Sequence, residues 1–229
     1  MIIFALSGWK ASGKDMAADY LVKNHGFTRV SFADPLKDNV AQAFGIPRSS
    51  LDDRELKEAP LLNAPVEPKD AFSRNIAEFM KGEFRDQNGK RYGEAPVDSV
   101  MYWTPRALCI LEGSTKRSAD INYWVKQAVA KMVPGGRYVI ADLRYQSEVN
   151  ALNASAPNSV IAARIDRFEV STSADPSERD LDAYPFPFRI NNLQSESTTQ
   201  NQVFEQIVSV LKQKGLIDDG AEHGSRNEA

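Results

Sequence analysis

Gly8-Trp9-Lys10-Ala11-Ser12-Gly13-Lys14 is the most informative segment of this sequence. It fits the pattern GxxxxGK, in which glycines let backbone N–H groups turn inward on a polyphosphate and the lysine reaches the β- and γ-phosphates. The N-terminus of the following helix adds a partial positive charge. The pattern therefore predicts a loop that binds a nucleoside triphosphate, called the phosphate loop below. The alternative is a glycine-rich turn between a strand and a helix that carries an incidental lysine.

The residues on both sides of the phosphate loop provide the context that this pattern requires. Residues 2–6 form a continuous apolar run, typical of a strand buried on both faces of a parallel sheet. After the loop, Ala17, Tyr20 and Leu21 have the spacing of the core face of a helix, and Gly26 marks its C-terminal end. The sequence thus predicts a buried strand, a phosphate loop and a helix in succession.

The rest of the chain alternates strands and helices. Further strands are expected at residues 28–32, 138–141, 160–165 and 188–190. A helix is expected at 34–44, with an Asp34 N-cap and a stop at Gly45. Another is expected at 104–111, where Thr104-Pro105 has the same pattern of a cap followed by proline, with a break at Gly113. Further helices are expected at 122–132, at 146–153 and around 203–211. This alternation predicts an α/β fold with a parallel sheet flanked by helices. Ligands of such sheets bind at the carboxyl ends of the strands, so the phosphate loop and Asp142 are expected to face one crevice.

Two polar segments interrupt the alternation. Residues 46–100 are rich in proline and charge, and we interpret them as an insertion that caps a nucleotide-sized cleft. Residues 167–187 hold acidic residues and prolines typical of a loop or lid rather than core. We expect one domain over residues 1–215 and a mobile tail at 216–229. Regular elements expected inside the insertion are at most one short helix in 46–68, a helix at 71–80 and a hairpin turn at Asn88-Gly89.

Two carboxylates beside the phosphate loop are candidate ligands of Mg²⁺. Asp15 follows Lys14 where Ser or Thr would normally coordinate the ion. It either faces the ion and its waters or is a first-turn acid that favours the helix dipole. Asp142 ends an apolar strand, where the second magnesium-side carboxylate of P-loop folds lies, or else it caps the following helix.

The residues after Asp142 argue against two classes of nucleotide hydrolase. The next residue is Leu143, not the glutamate with which motor-type ATPases activate water, so transfer to a bound acceptor is favoured over hydrolysis. A switch GTPase would show DxxG after this strand and a guanine-reading NKxD, and neither is found there. The DxxG match from Asp86 to Gly89 lies in the polar insertion and is incidental.

An acceptor that is itself a phosphate ester would need further cations. Positive residues on or next to the predicted cleft are Lys10, Lys37, Arg106, Lys126 and Arg144. Arginines clamp phosphates and stabilise the charge on a moving phosphoryl group, although any one of these residues alone is more often a solvated surface charge. An arginine on a closing lid would complete the site and exclude water, and the candidates are Arg164, Arg167 and Arg179. Trp124 either stacks on a base or sugar or packs in the core.

The composition excludes several other classes. The chain has 229 residues, 42% of them hydrophobic, and a formal charge of −3, which is not the composition of a disordered chain. A single cysteine, Cys109, cannot form an intramolecular disulfide, and with two histidines, His25 and His223, a His/Cys zinc site is nearly impossible. Any metal is therefore expected to be a hard cation held by oxygen.

The charge pattern also limits the expected partners and location. Near-neutrality without basic runs argues against a nucleic acid polymer or an anionic membrane as the main partner. No apolar run approaches the roughly 18 residues needed to cross a bilayer. The run at residues 2–6 is too short for a signal peptide. We therefore expect a cytoplasmic protein, with a homodimer as the default for an α/β enzyme of this size.

Together these motifs resemble the bacteriophage deoxynucleoside monophosphate kinases, which belong with other P-loop nucleoside monophosphate kinases and share this type of loop with phosphomevalonate kinases. The resemblance begins with Gly8 through Asp15, of which the GKD variant is the most specific part, and covers most of the chain. The further matching motifs, in the family's order, are Phe32-Ala33-Asp34-Pro35-Leu36-Lys37-Asp38, Pro105-Arg106-Ala107-Leu108, Glu112-Gly113-Ser114, Tyr123-Trp124-Val125-Lys126, Asp142-Leu143-Arg144 with Glu148, and, more weakly, Asp175-Pro176-Ser177-Glu178.

The resemblance implies a three-layer P-loop kinase fold with an inserted substrate-binding region and a lid. It implies that ATP and its Mg²⁺ are held at Gly8, Ser12, Gly13, Lys14, Asp15 and Met16, although the family often has a hydroxyl residue where this chain has Met16. The residues implied to line the monophosphate site are Lys10, Lys37, Arg106, Gly113, Ser114, Trp124, Lys126, Asp142, Arg144 and Glu148. The residues expected to act in catalysis are Lys14, Asp142, Arg144 and Arg167.

The expected activity is transfer of the γ-phosphoryl group of ATP to a deoxynucleoside monophosphate, in the host cytoplasm if the chain is phage-encoded. One alternative is a kinase of the same fold that acts on another small phosphorylated metabolite, as phosphomevalonate kinases do. The other alternative is a regulatory protein that binds ATP without transferring phosphate.

Overall fold

The structure is a computed structural model of the chain and describes residues 1–59, 61, 103–167, 179–192 and 196–217. Several predictions lie outside these residues: the helix at 71–80, the hairpin turn at Asn88-Gly89, most of the insertion, the lid residues 168–178 and the tail from 218 onward. The insertion, lid, tail and single-domain assignments therefore stay predictions.

The described residues alternate strands and helices. In chain order they form β1 (Ile2–Ser7), α1 (Lys14–His25), β2 (Thr28–Arg29), α2 (Ala33–Phe44), α3 (Ser49–Asp52), a 3-10 turn (Leu56–Glu58), α4 (Pro105–Ala119), α5 (Tyr123–Val129), β3 (Arg137–Ile140), α6 (Gln146–Ser155), β4 (Val160–Asp166), β5 (Phe188–Asn191) and α7 (Glu196–Gln213).

The strands form one five-stranded sheet in the order β2-β3-β1-β4-β5, and every neighbouring pair is parallel. The central strand is β1, in which Ile3 lies opposite Tyr138 of β3 and Val160 of β4. Residues Ile3 to Leu6 are fully buried, which explains why this strand shows no alternation of polar and apolar side chains. The prediction of an α/β fold with a parallel sheet flanked by helices is confirmed.

The chain divides into two compact units. The first unit comprises Met1–Ser31 and Lys131–Ala229 and contains the sheet. One face of the sheet packs with α1 and α7 around a core that includes Phe4, Leu21, Ile165 and Ile207. Tyr20 of α1 and Phe204 of α7 stack with ring centroids 3.9 Å apart. Helix α6 contributes Val149 and Leu152, which are fully buried and are not part of this core, so the sheet carries helices on both faces.

The second unit, Phe32–Ala130, is helical in its described residues. Its core joins α2, α3 and α4 through Val40, Phe44, Leu51, Leu108 and Leu111. Thr104 caps α4, since its hydroxyl accepts a hydrogen bond from the Ala107 N–H at 3.2 Å, and Pro105 takes the first helical position.

The predicted break of α4 at Gly113 is wrong, because the helix continues to Ala119. A glycine inside a helix costs only about 1 kcal/mol relative to alanine, which the burial of Leu108 and Leu111 offsets. The Gly113 carbonyl also accepts a hydrogen bond from the Trp124 indole at 3.3 Å. Tertiary contacts therefore override the local tendency of glycine to end a helix.

Other element boundaries differ by a few residues. Helix α2 begins at Ala33 with Phe32 at the cap, so Asp34 lies in the first turn and is not the N-cap. Its carboxylate instead pairs with Arg48 at 3.0 Å. Strand β2 is shorter than predicted and α5 ends at Val129. The helix stops at Gly26 and Gly45 are confirmed, with left-handed φ values of 67° and 69°.

Candidate functional site

The phosphate loop connects the central strand β1 to α1, and its backbone has conformations that favour glycine. Gly8 and Gly13 have φ values of 142° and 105°. A Cβ at Gly8 would lie 2.5 Å from the backbone oxygen of Ile165. Ala11 also has a positive φ, 62°, which costs a residue with a side chain about 1–2 kcal/mol. This shape therefore depends on glycine at two positions and on contacts that hold the loop.

Lys14 is the first residue of α1, and its side chain lies against the loop. Its ammonium donates hydrogen bonds to the carbonyl oxygens of Gly8, at 2.5 Å, and Trp9, at 2.7 Å. The cap residue Gly13 offers no side-chain acceptor to the first turn of α1. A helix N-terminus without a side-chain cap, together with a lysine, favours binding of an anion.

Three residues distant in sequence contact the loop from outside. The Asn192 amide donates to the Ser12 carbonyl at 2.7 Å, and Arg167 donates to the Ala11 carbonyl at 3.1 Å. The Trp9 indole donates to Asp182 at 2.9 Å. The loop is therefore held by residues that follow β4 and β5, and the predicted site residue Arg167 lies beside it.

Asp142 lies near the carboxyl end of β3, the strand that pairs with β1. Its carboxylate accepts a hydrogen bond from the Ser31 hydroxyl at 2.6 Å. The alternative in which Asp142 caps the following helix is wrong, since α6 begins at Gln146 and has Tyr145 at its cap. Parallel pairing brings Asp142 to the same edge of the sheet as the phosphate loop.

Asp15 is directed toward Arg29 on β2, with which it forms an ion pair. Arg29 also pairs with Asp19 at 3.1 Å. Burial lowers the pKa of Arg29, but its hydrogen bonds and charge interactions with these two carboxylates outweigh that effect and raise the pKa. Asp15 lies in the first turn of α1 with its side chain 80% exposed, and its role as a magnesium-side carboxylate stays a prediction.

Arg164 is buried within a network of charged groups at the end of β4. It contacts Asp166 at 3.0 Å, Asp182 at 2.5 Å and the Leu181 carbonyl at 3.1 Å. Its side chain is 7% exposed, so its charge is compensated inside the first unit. In the described part of the predicted lid, Leu181 is fully buried, which differs from the expectation that this segment stays out of the core.

The other predicted residues of the first unit have varied surroundings. The Glu148 carboxylate accepts the backbone N–H groups of Arg144, at 2.8 Å, and Tyr145, at 3.0 Å, as in a capping box. Arg144 and Lys10 are exposed. Met16 packs against the core with its side chain, and Ser12 is 1% exposed. Their roles in binding stay predictions.

In the second unit, the cations predicted to bind the acceptor are each paired with a carboxylate of the same unit. Lys37 contacts Asp52 at 2.8 Å. Lys126 contacts Asp120 at 2.7 Å, and Arg106 pairs with Glu58. All three pairs are partly exposed, so each interaction is worth little by itself, and a phosphate could compete with these carboxylates at low cost.

No sequence motif indicated Arg48, which pairs with three carboxylates of the second unit. It pairs with Asp34 and Asp38, each at 3.0 Å, and with Asp52. Burial raises the pKa of Asp52, but hydrogen bonds from Lys37 and Arg48 outweigh it and hold the pKa below its ordinary value. Arg48 and Asp52 have the i, i+4 spacing of a helical ion pair. Asp34 and Asp38 lie on α2, and no spacing rule connects them with Arg48.

The remaining predicted residues of the second unit lie on α4 and α5. Trp124 is 4% exposed and packs edge-on against Tyr123, as its core-packing alternative requires. Gly113 is buried beside Leu36 and Arg117. The Ser114 hydroxyl donates within its own helix to the carbonyls of Ile110 and Leu111.

The Asp142 carboxylate and the Ser31 hydroxyl that it contacts are oxygen groups, which suit Mg²⁺ better than a softer metal. Among the described residues, no group of three or more His, Cys, Asp or Glu side chains converges as a metal site. Mg²⁺ is commonly held by one or two carboxylates together with substrate phosphates and water, so a single carboxylate beside a phosphate loop fits it.

No helix in the described ranges is both long and apolar enough to span a membrane.

Comparison with known proteins shows similarity over short segments, and no protein family model matches the chain. A protein of Acanthamoeba polyphaga mimivirus provisionally named deoxynucleotide monophosphate kinase is 41% identical over 61 residues, which cover 26% of this chain and 32% of the relative. The deoxynucleotide monophosphate kinase of Enterobacteria phage T4 is 38% identical over 52 residues, which cover 23% of this chain and 22% of the relative. The matched segments therefore span about a third and about a fifth of these relatives. The resemblance to viral deoxynucleotide monophosphate kinases is confirmed over these segments.

Proposed function

We propose that this protein is a kinase that transfers the γ-phosphoryl group of ATP to a deoxynucleoside monophosphate. The observation that carries the proposal is the phosphate loop at the carboxyl end of the central strand β1, with the Lys14 ammonium held against its carbonyls. Asp142, at the end of the adjacent strand β3, supplies a carboxylate on the same edge of the sheet. The names of the two viral relatives support the acceptor.

The chemistry of the acceptor explains why a dedicated base is unnecessary. A phosphate monoester is already a nucleophile at neutral pH, so catalysis consists of positioning the two substrates and stabilising charge on the moving phosphoryl group. Lys14 and the N-terminus of α1 stabilise negative charge at the donor side. Arg167 directly follows β4 and donates a hydrogen bond to the Ala11 carbonyl of the phosphate loop at 3.1 Å. It is therefore the arginine that we assign to the moving phosphoryl group.

Mg²⁺ bound with ATP would neutralise charge on the β- and γ-phosphates. Asp142 would hold it, directly or through water, and the Ser31 hydroxyl orients the Asp142 carboxylate through a 2.6 Å hydrogen bond. Asp15 is the second candidate, and its pairing with Arg29 would have to loosen if it served as a ligand.

The acceptor residues implied by the resemblance belong to both units. Lys10, Asp142, Arg144 and Glu148 belong to the first unit, and Lys37, Arg106, Gly113, Ser114, Trp124 and Lys126 belong to the second. Three of these cations form partly exposed ion pairs: Lys37, Arg106 and Lys126. Because such pairs contribute little stability, an incoming phosphate could replace the carboxylate partner of each cation.

The experiment is an assay of ADP release and diphosphate formation with ATP·Mg²⁺ and a panel of deoxynucleoside monophosphates, ribonucleoside monophosphates and phosphomevalonate. We expect turnover with at least one deoxynucleoside monophosphate. We expect Lys14→Ala to abolish it while the circular dichroism spectrum stays that of the wild type. Turnover of Lys14→Ala at the wild-type rate would refute the proposal.

The same panel separates the alternatives. Turnover with phosphomevalonate alone would identify a kinase of another small metabolite. Tight ATP binding without turnover of any acceptor would identify a regulatory nucleotide-binding protein. Lys23→Ala, on the exposed side of α1 in the same unit, is the matched lysine control and is expected to keep full activity.

A further inference from the structure

We propose that Asn192 is a positioning residue that holds the phosphate loop in the shape required to bind the triphosphate, an inference that rests on the proposed nucleotide binding. Asn192 directly follows β5 and is 4% exposed. Its side-chain amide donates a hydrogen bond to the Ser12 carbonyl at 2.7 Å. The contact joins residues 180 positions apart and is buried.

The hydrogen bond from Asn192 to the Ser12 carbonyl also orients the N–H group of Gly13. The described peptide bonds are all trans, so the C=O of Ser12 and the N–H of Gly13 point to opposite sides of one planar unit. With the carbonyl held on the side of Asn192, the Gly13 N–H points away from it. Inward-pointing N–H groups are what a phosphate loop presents to its ligand.

The sheet fixes the position of Asn192 itself. Its backbone N–H donates to the Asp166 carbonyl at 2.8 Å, which extends the pairing of β5 with β4 by one residue. Its amide also occupies the space beside Gly13, where an added Cβ would lie 2.8 Å from the Asn192 nitrogen. A rigid strand end therefore supports the loop at the point where its backbone is in a glycine conformation.

The chemical identity of the side chain is required by its partner. The Ser12 carbonyl is an acceptor, so the residue at 192 must present a donor. An aspartate has the same shape but would place an acceptor against the carbonyl and add a negative charge beside a polyphosphate site. An alanine would leave the carbonyl buried without this donor.

The test compares Asn192→Ala and Asn192→Asp with the wild type and with Asn150→Ala, an exposed asparagine on α6 of the same unit. ATP affinity is measured by titration calorimetry, and kcat and the KM values for ATP and for the acceptor are measured by ADP release. We expect Asn192→Ala to weaken ATP binding about 5- to 30-fold, the effect of losing one buried hydrogen bond. Asn192→Asp is expected to lose more ATP affinity than Asn192→Ala. The KM for the acceptor is expected to stay unchanged in both variants.

A folded Asn192→Ala or Asn192→Asp protein with wild-type ATP affinity overturns the inference, as does an equal change of both KM values. If neither variant folds, the inference is tested on the wild-type protein by NMR. The side-chain NH₂ signals of Asn192 in a ¹⁵N spectrum should shift on addition of ADP, and no shift overturns the inference.

The two proposals fail in different ways. A wild-type protein that binds ATP but phosphorylates no acceptor refutes the kinase proposal, while a weaker affinity of Asn192→Ala still supports the loop-positioning role. A wild-type protein that phosphorylates a deoxynucleoside monophosphate, with Asn192 variants of unchanged affinity, refutes only the positioning role. A wild-type protein that binds no ATP refutes both.

Discussion

Glycine at position 8 is required by the space around it as well as by its backbone conformation. A Cβ there would approach the Ile165 backbone oxygen at 2.5 Å, and backbone cannot move aside as a flexible side chain can. Gly26 also has a positive φ, 67°, but nothing lies within 4 Å of the position that its Cβ would take. A substitution at Gly8 therefore meets both a steric clash and an unfavourable backbone conformation, whereas a substitution at Gly26 meets only the latter.

We predict that Gly8→Ala lowers the free energy of unfolding by about 3 kcal/mol or more and abolishes nucleotide binding. Gly26→Ala is predicted to cost only about 1–2 kcal/mol and to leave nucleotide binding intact. Urea unfolding followed by circular dichroism measures both. Equal destabilisation by the two substitutions would contradict the clash at Gly8.

Cys109 is the single cysteine of the chain, so its reactivity can be followed without interference. Burial raises the pKa of its thiol, and the nearby positive charges of Lys37, Arg48 and Arg106 oppose this only in part. A raised pKa leaves less thiolate at a given pH, and the thiolate is the reactive form.

We predict that alkylation of native Cys109 by iodoacetamide at pH 7.5 is slower than alkylation of the urea-unfolded chain. The rate should also keep rising with pH beyond the ordinary titration range of a thiol. Mass spectrometry of the alkylated protein over time gives both rates. A native rate equal to the unfolded rate would show that neither burial nor the raised pKa protects the thiol.

At the level of whole elements, α4 shows how packing sustains a helix through an internal glycine. Gly113 is buried in the middle of the helix with helical backbone angles. An added Cβ would lie 3.2 Å from the end of the flexible Arg117 side chain and 3.6 Å from Leu36. The second distance is an ordinary contact, and Arg117 can move by the few tenths of an ångström that the first requires.

We therefore predict that Gly113→Ala raises the free energy of unfolding by up to about 1 kcal/mol, since alanine is the better helix former. If Gly113 also lines the acceptor site, as the resemblance implies, the KM for the acceptor rises in the same variant. Thermal unfolding and steady-state kinetics measure the two effects separately. A fall in thermal stability would mean that the space beside α4 cannot accept a methyl group.

Over the whole molecule, the proposed nucleotide binding predicts a ligand-dependent gain in the stability of the fold. A ligand that binds only the folded protein adds about 2.7 kcal/mol at 100 times its Kd. For a chain of this size each 1 kcal/mol shifts Tm by about 2–4 °C. We predict that saturating ATP·Mg²⁺ raises the Tm of the wild type by about 5–10 °C and that EDTA reduces this shift. A shift of the same size in Lys14→Ala would contradict binding through the phosphate loop.

Much of the fold could be predicted because its signals lie in consecutive residues. The buried strand β1, the phosphate loop, the glycine stops of α1 and α2, and the cap of α4 at Thr104 are all local patterns. The alternation of strands and helices was enough to predict the α/β class and the parallel sheet. The errors at Gly113 and Asp34 come from the same local rules, which tertiary contacts overrode.

Sequence alone was enough to predict the nature of the candidate site, whereas the tertiary structure decided which residues contact it. The loop motif, Lys14 and the position of Asp142 after a strand can be found in short stretches of sequence. The contacts of Asn192 with Ser12 and of Ser31 with Asp142 join residues 180 and 111 positions apart. Such partners have no fixed spacing, because they meet only when parallel strands bring their carboxyl ends to one edge of the sheet.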